Sequence, residues 1–460
     1  MSLISSLNTA ASGLRVASQG INVTSHNVTN ATTEGYSRRT LRVETALPSE
    51  VGGYGIGNGA VPVGAKRSAD LFVNRRLVDA IGQESRTSSR YQTLRTVEAS
   101  FEDVSADGPA SLLTQFFDSV SRLTQDPSDR NLRAEVLTQG TRFTEGIQKV
   151  AADLQTGRLS IFEELSQTVA EVNGRLEQVA NFNAAITASK SEMAAGDFMD
   201  KRDQLVHQLA DEFGFTAVFN ADGSAQISIG GHAAVTGAEY RELEVLQTAA
   251  GVAQVNLETG EGRVDVTDFV GGYFGGRIDA QADIVGFESE LNNFVSTLGT
   301  AVNTQHAAGF DQTGAPGGAF FSFAVGSEAA TFSLDSTLAG DPTLIAAAGA
   351  ATAAAGDGDN LTGLVGLESQ QLFASGTQTA TQALGSVYGS VGRAVMTAEM
   401  ENNTAAVTLD DLHALRDAAS GVDLDEEAAD LLAWQASYQA AARVVTTTNQ
   451  MLAELLEIVR

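Results

Sequence analysis

The sequence of 460 residues contains no cysteine. A chain without thiols has no disulfide bond, no thiolate nucleophile and no zinc–thiolate site. It also lacks an apolar run of about 18 residues, the minimum for a spanning helix, so we expect no membrane insertion. Its first residues show neither the basic start nor the continuous apolar stretch of a secretory signal peptide. If the protein is exported, we therefore expect a route that leaves its N-terminus uncleaved.

Basic residues are scarce relative to acidic ones. There are 28 Lys and Arg against 57 Asp and Glu, which gives a formal net charge of -29. This excess of negative charge argues against nucleic-acid binding, because phosphates require a basic face. The apolar fraction of 43% is that of a folded protein, and the length exceeds what one core usually accommodates. We expect a multidomain protein with a self-repelling surface.

Motifs for chemistry are also missing. The five histidines have no ligand-like spacing to other His or acidic residues, so we predict no metal site. A match to the dinucleotide-binding glycine pattern at 55–60 is followed by Val-Pro-Val-Gly at 61–64, which favours extended chain over a pyrophosphate-binding helix. The Gly-rich loop after Asp311 lacks the ligand spacing of a calcium site. We therefore predict no cofactor, no metal and no catalytic residue, and we interpret the protein as not an enzyme.

What the sequence does contain is a heptad pattern at each end. From residue 1 to residue 33 the only charged side chain is Arg15, and small or apolar residues recur at alternating steps of four and three. Gly13 and Gly20 would each cost this helix about 1 kcal/mol relative to Ala, so the helix needs a partner. The predicted N-terminal seam is Leu3, Leu7, Ala10, Leu14, Ala17, Ile21, Thr24 and Val28.

The C-terminal residues carry a matching strip that no Gly or Pro interrupts. Asp423 stands where a helix N-cap is expected, and the acids that follow it favour the helix dipole. Gln435 and Asn449 break the apolar seam, as polar residues do where they fix the register of a coiled coil. The predicted C-terminal strip is Leu424, Ala428, Leu431, Gln435, Tyr438, Ala442, Val445, Asn449, Leu452, Leu456 and Val459. We predict that the two strips together form an assembly seam.

Between the two strips the hydrophobic period changes several times. Apolar residues follow a helical period from about Asp70, and period-two alternation flanks the turn residues Asn220, Asp222 and Gly223, which indicates a hairpin. The predicted segments are an N-terminal helix (1–34), a strand-and-turn connector with a long-helix bundle (35–212), a β-rich insertion (213–270), a helical return (271–308), a low-complexity Gly/Ala-rich β element (309–366), a second helical return (367–422) and a C-terminal helix (423–460).

The fold class that this order predicts is mostly α with β insertions. Terminal coiled-coil helices and a long helical bundle form the base, and a β-rich outer domain is nested within it. A chain that leaves a helical base and returns to it brings both termini to one end.

The segments at both ends resemble the flagellar axial proteins. LNTAASGLRVASQGINVTSHNVTNATTEGYSRR at 7–39 resembles the N-terminal signature of rod, hook and hook-associated proteins, which includes the turn Gly35-Tyr36; Glu34 stands where Pro is common. SGVDLDEEAADLLAWQASYQAAARVVTTTNQML at 420–452 is similar to the ending of the FlgK family, the first hook–filament junction proteins. MDKRDQLVHQLADEFGF at 199–215 is similar to the same family.

The resemblance implies a structural subunit of the bacterial flagellum that joins hook to filament. It also implies export through the flagellar type III apparatus and an extracellular location at the hook–filament junction. The implied partners are further copies of the chain in a ring or helical array, the hook protein, a second hook-associated junction protein and an export chaperone near the C-terminus. The alternatives are another axial protein, such as a hook or second junction subunit, or a less favoured enzyme or adhesin carried on the outer domain.

We also expect the terminal helices to be unpaired or frayed in the isolated chain. Burial of Leu3, Leu7, Leu14, Ile21 and Val28 would contribute about 1.5–3 kcal/mol each, whereas ordering about 30 residues costs about 1–2 kcal/mol each. One intramolecular partner therefore leaves the sum near or below zero, and packing between subunits has to supply the remainder.

Overall fold

The computed structural model of the chain describes residues 3–51, 54–101, 108–353 and 356–458. The helices are α1 (Leu3–Asn30), α2 (Leu71–Phe101), α3 (Pro109–Leu123), α4 (Arg130–Ala188), α5 (Glu192–Glu212), α6 (Gly272–Ala307), α7 (Ser336–Gly340), α8 (Asp359–Ser369), α9 (Ala380–Ser420) and α10 (Leu424–Ile458). The strands are β1 (Arg39–Thr45), β2 (Ser49–Val51), β3 (Tyr54–Ile56), β4 (Ala60–Arg67), β5 (Thr216–Phe219), β6 (Ala225–Ile229), β7 (His232–Thr236), β8 (Glu239–Tyr240), β9 (Leu243–Gln247), β10 (Ala253–Thr259), β11 (Gly262–Asp265), β12 (Phe321–Ser322) and β13 (Ser333–Leu334).

The predicted fold class, mostly α with β insertions, is confirmed by this order of elements. The first and last helices, α1 and α10, pack against each other, and the antiparallel pair β1–β4 lies on α1. Residues 55–60, which carry the glycine pattern, lead from β3 into β4, as expected for a turn between strands rather than a nucleotide-binding loop. No helix in the described ranges combines the length and apolarity that a membrane-spanning segment needs.

A long antiparallel helix pair, α2 with α9, connects the terminal pair to the rest of the chain. Leu77 of α2 packs on Leu412 of α9 near the end that leads to the termini. Further along, α6 packs against α2, and the guanidinium of Arg86 donates two hydrogen bonds, of 2.6 and 2.8 Å, to the carboxylate of Asp279. At its other end α9 begins with a capping box, because the side chains of Thr379 and Gln382 bond each other's backbone N–H groups.

The helix α4 spans 59 residues and buries residues along most of its length. It begins at Asp129, whose carboxylate accepts hydrogen bonds from the N–H groups of Asn131 and Leu132 and so caps the first turn. The helical stripe seen in the sequence faces the interior here, and its buried members are Ile161, Leu165, Val172, Leu176, Val179 and Ile186.

The β-rich insertion consists of two antiparallel sheets, one of β5 to β8 in chain order and one ordered β11-β10-β9. The predicted hairpin is confirmed, since Phe219 pairs with Ala225 across a turn in which Gly223 has φ 87°. Strands β7 to β10 pack on α4, so the sheets share the helical core.

The Gly/Ala-rich region 309–366, predicted as a low-complexity β element, contains the short pair β12–β13 within its described residues, and α8 begins inside it at Asp359. Phe320, Phe321 and Phe332 are fully buried, because they make edge-to-face contacts with aromatic rings of α3 and α4 that lie far away in sequence. The helix predicted to continue from residue 367 is broken at 370–379, where Ala374 and Ser375 adopt positive φ.

Candidate assembly interface

The helices α1 and α10 run antiparallel with contacts that repeat every heptad. A Cβ placed on Gly13 would lie 3.6 Å from the Cβ of Ala441, and one on Gly20 would meet the indole of Trp434. One heptad further, the amide of Asn27 donates to the carboxylate of Glu427 at 3.0 Å. Each step of seven forward along α1 is thus matched by a step of seven backward along α10, which is an antiparallel coiled-coil register.

The glycines that weaken α1 as an isolated helix allow this close approach. Gly20 is buried, and any side chain there would overlap the ring of Trp434. The cost in helix propensity is therefore offset by contact between the large indole and the α1 backbone. The expectation of unpaired termini was wrong for the pairing itself, because α1 and α10 already contact each other within one chain.

Beyond α1 the chain turns back onto its own helix end. Gly35 adopts φ 78°, a conformation that favours glycine, and Tyr36 then reaches Asn27. The hydroxyl of Tyr36 donates to Asn27 Oδ1 at 2.7 Å and lies 2.9 Å from Nδ1 of His26. Burial raises the pKa of Tyr36 to about 12, so the hydroxyl keeps the proton that it donates.

Asn27 connects α1, β1 and α10. Its Oδ1 also accepts the N–H of Arg39 at 3.0 Å, and its Nδ2 donates to the carbonyl of Arg39 at 2.9 Å and to Glu427. The side chain is almost completely buried, with 1% of its surface exposed. A buried amide with all its bonding groups engaged orients the three elements relative to one another.

Glu427 is a buried carboxylate at the start of α10. It is 1% exposed and accepts the Nε–H of Arg38 at 2.6 Å. Arg38 also contacts Glu426 at 3.2 Å and Asp430 at 3.4 Å. Burial lowers the pKa of Arg38, but the hydrogen bond and the attraction of Glu427 outweigh it, so the pKa is raised overall. The backbone N–H of Arg38 also donates to Ser420, which fixes this arginine at the entry to α10.

A second charge network attaches the connector to α5. The guanidinium of Arg39 contacts Asp200 at 3.0 Å, and Arg67 contacts Asp200 at 2.7 Å and Asp203 at 2.6 Å. Burial alone would raise the pKa of Asp203, but Arg67 and Arg202 outweigh it and the pKa is lowered. These acids belong to the segment 199–215 that the sequence singled out, and they hold the terminal pair on the helical frame.

The structure brings only part of the predicted seam into the intramolecular contact. On α1 the residues Ala10, Ala17 and Thr24 are buried, whereas Val28 is exposed. The partly buried members of the N-terminal seam are Leu3, Leu7, Leu14 and Ile21. On α10 the partly buried members are Leu431, Ala442, Val445 and Leu452. The exposed members are Leu424, Ala428, Gln435, Tyr438, Asn449 and Leu456, and Val459 lies outside the described residues.

The face of α10 that meets α1 is rotated relative to the predicted strip. It passes through Glu427, Trp434, Ala441 and Thr448 in place of the neighbouring residues that the sequence pattern favoured. Gln435 and Asn449, the predicted register residues, are exposed and do not face α1. Within one chain the polar contact at this seam is instead between Asn27 and Glu427.

Much of the apolar surface of the pair remains open. The exposed apolar side chains of α10 are Leu424, Leu432, Tyr438, Val444, Met451, Leu455 and Leu456, with exposed fractions between 44% and 71%. Continuing the heptad register places Leu3 level with Met451, so the last turns of α10 extend past the start of α1. Ile4, 64% exposed, lies at the same end. We call this end, with Ile4, Met451, Leu455 and Leu456, the apolar tip.

The exposed side of α1 is also unusual for a helix facing water. Its members recur at heptad spacing and include a single charge, at Arg15. The exposed residues are Ile4, Asn8, Arg15, Ser18, Asn22, Ser25 and Thr29 at this spacing, with Thr9 and Val28 beside them. A helix that faces solvent normally carries charges on its outer side, so this surface has the composition of a protein contact.

Comparisons with known proteins agree with this geometry. Residues 94–321 match the profile of the FlgK helical domain, and residues 417–458 match the C-terminal profile of the flagellar basal body rod proteins FlgEFG. Flagellar hook-associated protein 1 of Bacillus subtilis is 24% identical over 98% of this chain and 97% of its own length. The Escherichia coli protein of that name is 23% identical over 98% and 99%.

A third relative and a solved structure are similar. Hook-associated protein 1 of Salmonella typhimurium is 26% identical, over 69% of this chain and 59% of its own. The structure of the flagellar hook junction protein FlgK from Burkholderia pseudomallei superposes with a TM-score of 0.66 at 13% identity, covering 75% of this chain and all of that one, which shows a shared fold.

The paired terminal helices, together with the helices that connect them to the rest of the chain, define an axial protein of the bacterial flagellum. The chain belongs to the FlgK family of flagellar hook-associated proteins. It is therefore a flagellar structural protein associated with the hook and with motility.

Proposed function

We propose that the chain joins the flagellar hook to the filament, and that it assembles by packing its α1–α10 pair against the pairs of neighbouring copies. The observation that carries the proposal is the open surface of the pair. Apolar side chains on α10 are up to 71% exposed, and the outer side of α1 carries a single charge. Exposed apolar side chains concentrated on one helix pair are characteristic of a protein contact.

The kind of assembly follows from where the open apolar side chains lie on the pair. Leu455 and Leu456 of the apolar tip lie beyond the start of α1, at one end of the pair, whereas Leu432 and Val444 lie on α10 away from that end. A surface that joins unlike patches of identical subunits generates a ring or a helical array rather than a closed dimer. The predicted seam residues, including Leu456 and the register residues Gln435 and Asn449, are proposed to meet neighbouring copies in that array.

Export and partners belong to the same proposal. We place the protein outside the cell at the hook–filament junction, delivered by the flagellar type III apparatus, with hook protein and a second junction protein as neighbours. An export chaperone would cover α10, because this helix has the largest exposed apolar surface and needs protection before assembly. The names of the relatives, hook-associated protein 1, support this assignment over a rod or hook subunit.

In the proposed assembly mechanism, subunits come together with the helix pair already formed. The terminal helices pair within the chain, so subunit packing completes the burial of an existing pair rather than creating the pair. A single partner leaves the apolar tip and the sides of α10 open, which keeps the isolated subunit competent for assembly.

The experiment uses a variant that alters the open surface alone. Leu432→Asp combined with Leu456→Asp replaces side chains that are 67% and 71% exposed, so the α1–α10 pair should stay intact. In a strain lacking the wild-type protein we expect incorporation into flagella to fall at least tenfold, leaving hooks without filaments. Electron microscopy and immunoblotting of sheared flagella measure both.

The matched control makes the same chemical change away from the terminal pair. Leu159 of α4 is 36% exposed, and Leu159→Asp should leave incorporation normal. Emission from Trp434, the single tryptophan of the chain, checks that the helix pair is unchanged in each purified variant. Normal filament growth with the double variant would exclude the open surface as the contact.

A further inference from the structure

We propose that Asn27, Glu427 and Arg38 form a register lock, a buried polar cluster that determines which heptads of α1 and α10 face each other. The proposal rests on the proposed function, because it assigns a role within the helix pair that is used for assembly. It concerns how the pair is specified, which the open surface does not determine.

The apolar contacts of the pair do not by themselves select one register. Gly13 and Gly20 lie one heptad apart on the same side of α1, and both offer bare backbone. If α10 moved by one heptad toward the start of α1, Trp434 would meet Gly13 in place of Gly20. The ring would find the same kind of surface, so the cost of this slip has to come from other residues.

The register lock supplies the free-energy cost of this slip. After the same slip Glu427 would face Gly20, which has no side chain to donate to its carboxylate. It would also leave Asn27, now 3.0 Å away, and Arg38, now 2.6 Å away. A carboxylate that is 1% exposed and loses its partners is destabilised far more than one in water.

The register lock is held by the connector that follows α1 as well as by α1 itself. Arg38 donates its backbone N–H to Ser420 at 2.9 Å, and Asn27 bonds both backbone groups of Arg39. These contacts fix the position of both partners of Glu427 relative to the entry of α10. A slipped helix, or α10 of another copy, would therefore meet a cluster that it cannot satisfy.

The absence of cysteine makes the register directly measurable. In the native register Gly13→Cys with Ala441→Cys should form a disulfide, because the two Cβ positions are 3.6 Å apart. Ser6→Cys with Ala441→Cys reports the slipped register, since Ser6 occupies the place of Gly13 after a shift of one heptad. With the native cluster present, brief mild oxidation should yield the first cross-link and only background levels of the second.

Removing the cluster should release the register without abolishing pairing. In Asn27→Leu combined with Glu427→Leu we expect the slipped cross-link to rise at least fivefold, while the protection of α10 from proteolysis is kept or increased. A rise in the slipped cross-link without a loss of protection distinguishes a role in specificity from a role in stability alone. Replacing a buried polar group by an apolar one often increases stability. A slipped cross-link that stays within twofold of background would overturn the lock.

The control comes from the residues that sequence reasoning favoured for the same task. Gln435→Leu with Asn449→Leu removes two exposed polar side chains from α10 and should leave the slipped cross-link at background. An increase there, with none in the cluster variant, would assign the register to those residues instead.

A variant that fails to pair would form neither cross-link, and Glu427→Gln then decides. Its amide keeps the shape of the carboxylate but loses the charge that faces Arg38. We expect the slipped cross-link to rise at least twofold in this variant, and no rise would contradict the proposal. Incorporation assays with Leu432→Asp and Leu456→Asp remain informative in either case, because those residues lie outside the lock.

Discussion

The indole of Trp434 lies on the backbone of α1 at Gly20, where a Cβ would overlap the ring. This contact joins the two ends of a chain of 460 residues and is made by its only tryptophan. It explains why a helix that needs pairing contains a residue of poor helix propensity at its centre. The emission of Trp434 therefore reports directly on the terminal pair.

A methyl group at Gly20 should disrupt the pair. In Gly20→Ala the new Cβ has no room beside the indole, so we expect a net loss of about 1–3 kcal/mol in pairing, the usual cost of overpacking. The emission of Trp434 should shift to the red, and α10 should be cleaved faster by protease.

Gly13→Ala is the matched control for that substitution. The new Cβ would lie 3.6 Å from Ala441, an ordinary contact, so the pair should keep its structure and gain up to about 1 kcal/mol from helix propensity. If both alanine variants behave alike, the stability of the pair does not depend on the close approach of Trp434 to Gly20.

The heptads at both ends were readable in the sequence, but the face that each helix presents was not. The predicted strip and the observed face of α10 share Leu431, Val445 and Leu452, so their periods are identical. They differ by one residue at the alternate positions, where the observed face carries Glu427. A pattern of apolar residues assigns a glutamate to solvent, and only Arg38 and Asn27, distant in sequence, make its burial possible.

A signal for the correct face was nevertheless present. Gly13, Gly20 and Asn27 recur at exact heptad spacing on α1, and Trp434 and Ala441 do so on α10. Small residues opposite a large one indicate close packing, which the search for apolar side chains overlooked. The burial of Phe320 and Phe321 in the region 309–366 was not readable for a related reason, because the aromatic rings that cover them belong to α3 and α4 and no local pattern reveals them.

Charge placed inside the seam should prevent assembly. Leu14 and Leu431 are partly buried in the terminal pair, so Leu14→Asp or Leu431→Asp should abolish incorporation while the central domains stay folded. Unlike the open-surface variant, each should also shift the emission of Trp434. Circular dichroism and calorimetry check the central domains, and incorporation at normal levels by either variant would count against the seam.

The Asp203 carboxylate should stabilise the frame that holds the terminal pair. It lies 2.6 Å from Arg67 and contacts Arg202, so Asp203→Asn removes the carboxylate that faces both guanidinium groups, and Arg67 keeps its contact with Asp200. We expect a loss of about 3–5 kcal/mol in the free energy of unfolding at pH 7, measured by urea denaturation. Asp211→Asn, an exposed acid of the same helix, should change it by less than about 0.5 kcal/mol.

The effect of Asp203 should also depend on pH in one direction. Its pKa is lowered in the folded chain, so its stabilisation is present above the unfolded value of about 4 and is lost as pH falls through the folded value. The difference between wild type and Asp203→Asn should therefore be constant from pH 7 to pH 5 and shrink below pH 4. A constant difference down to pH 3 would show that the carboxylate acts by packing rather than by charge.

His207 should make the folded chain less stable as pH falls toward 4. Burial lowers its pKa from 6.5 to about 4, and its Nε2 lies 3.0 Å from Oδ1 of Asn74. The unfolded chain binds this proton at a higher pH than the folded chain does. The contribution of His207 to the free energy of unfolding is therefore fully present above pH 6.5 and declines between pH 6.5 and pH 4. In His207→Gln, which retains a donor for Asn74, this decline should be smaller by about 1–3 kcal/mol.

The comparison between wild type and His207→Gln isolates this group from its surroundings. Asp79 and Glu84 have pKa values raised by burial, so their protonation favours the folded chain as pH falls, and this opposite effect cancels in the difference. His232→Gln, at an exposed position, controls for the loss of an imidazole and should follow wild type. Parallel curves of unfolding free energy for wild type and His207→Gln from pH 7 to pH 4 would show that His207 takes up its proton as readily folded as unfolded.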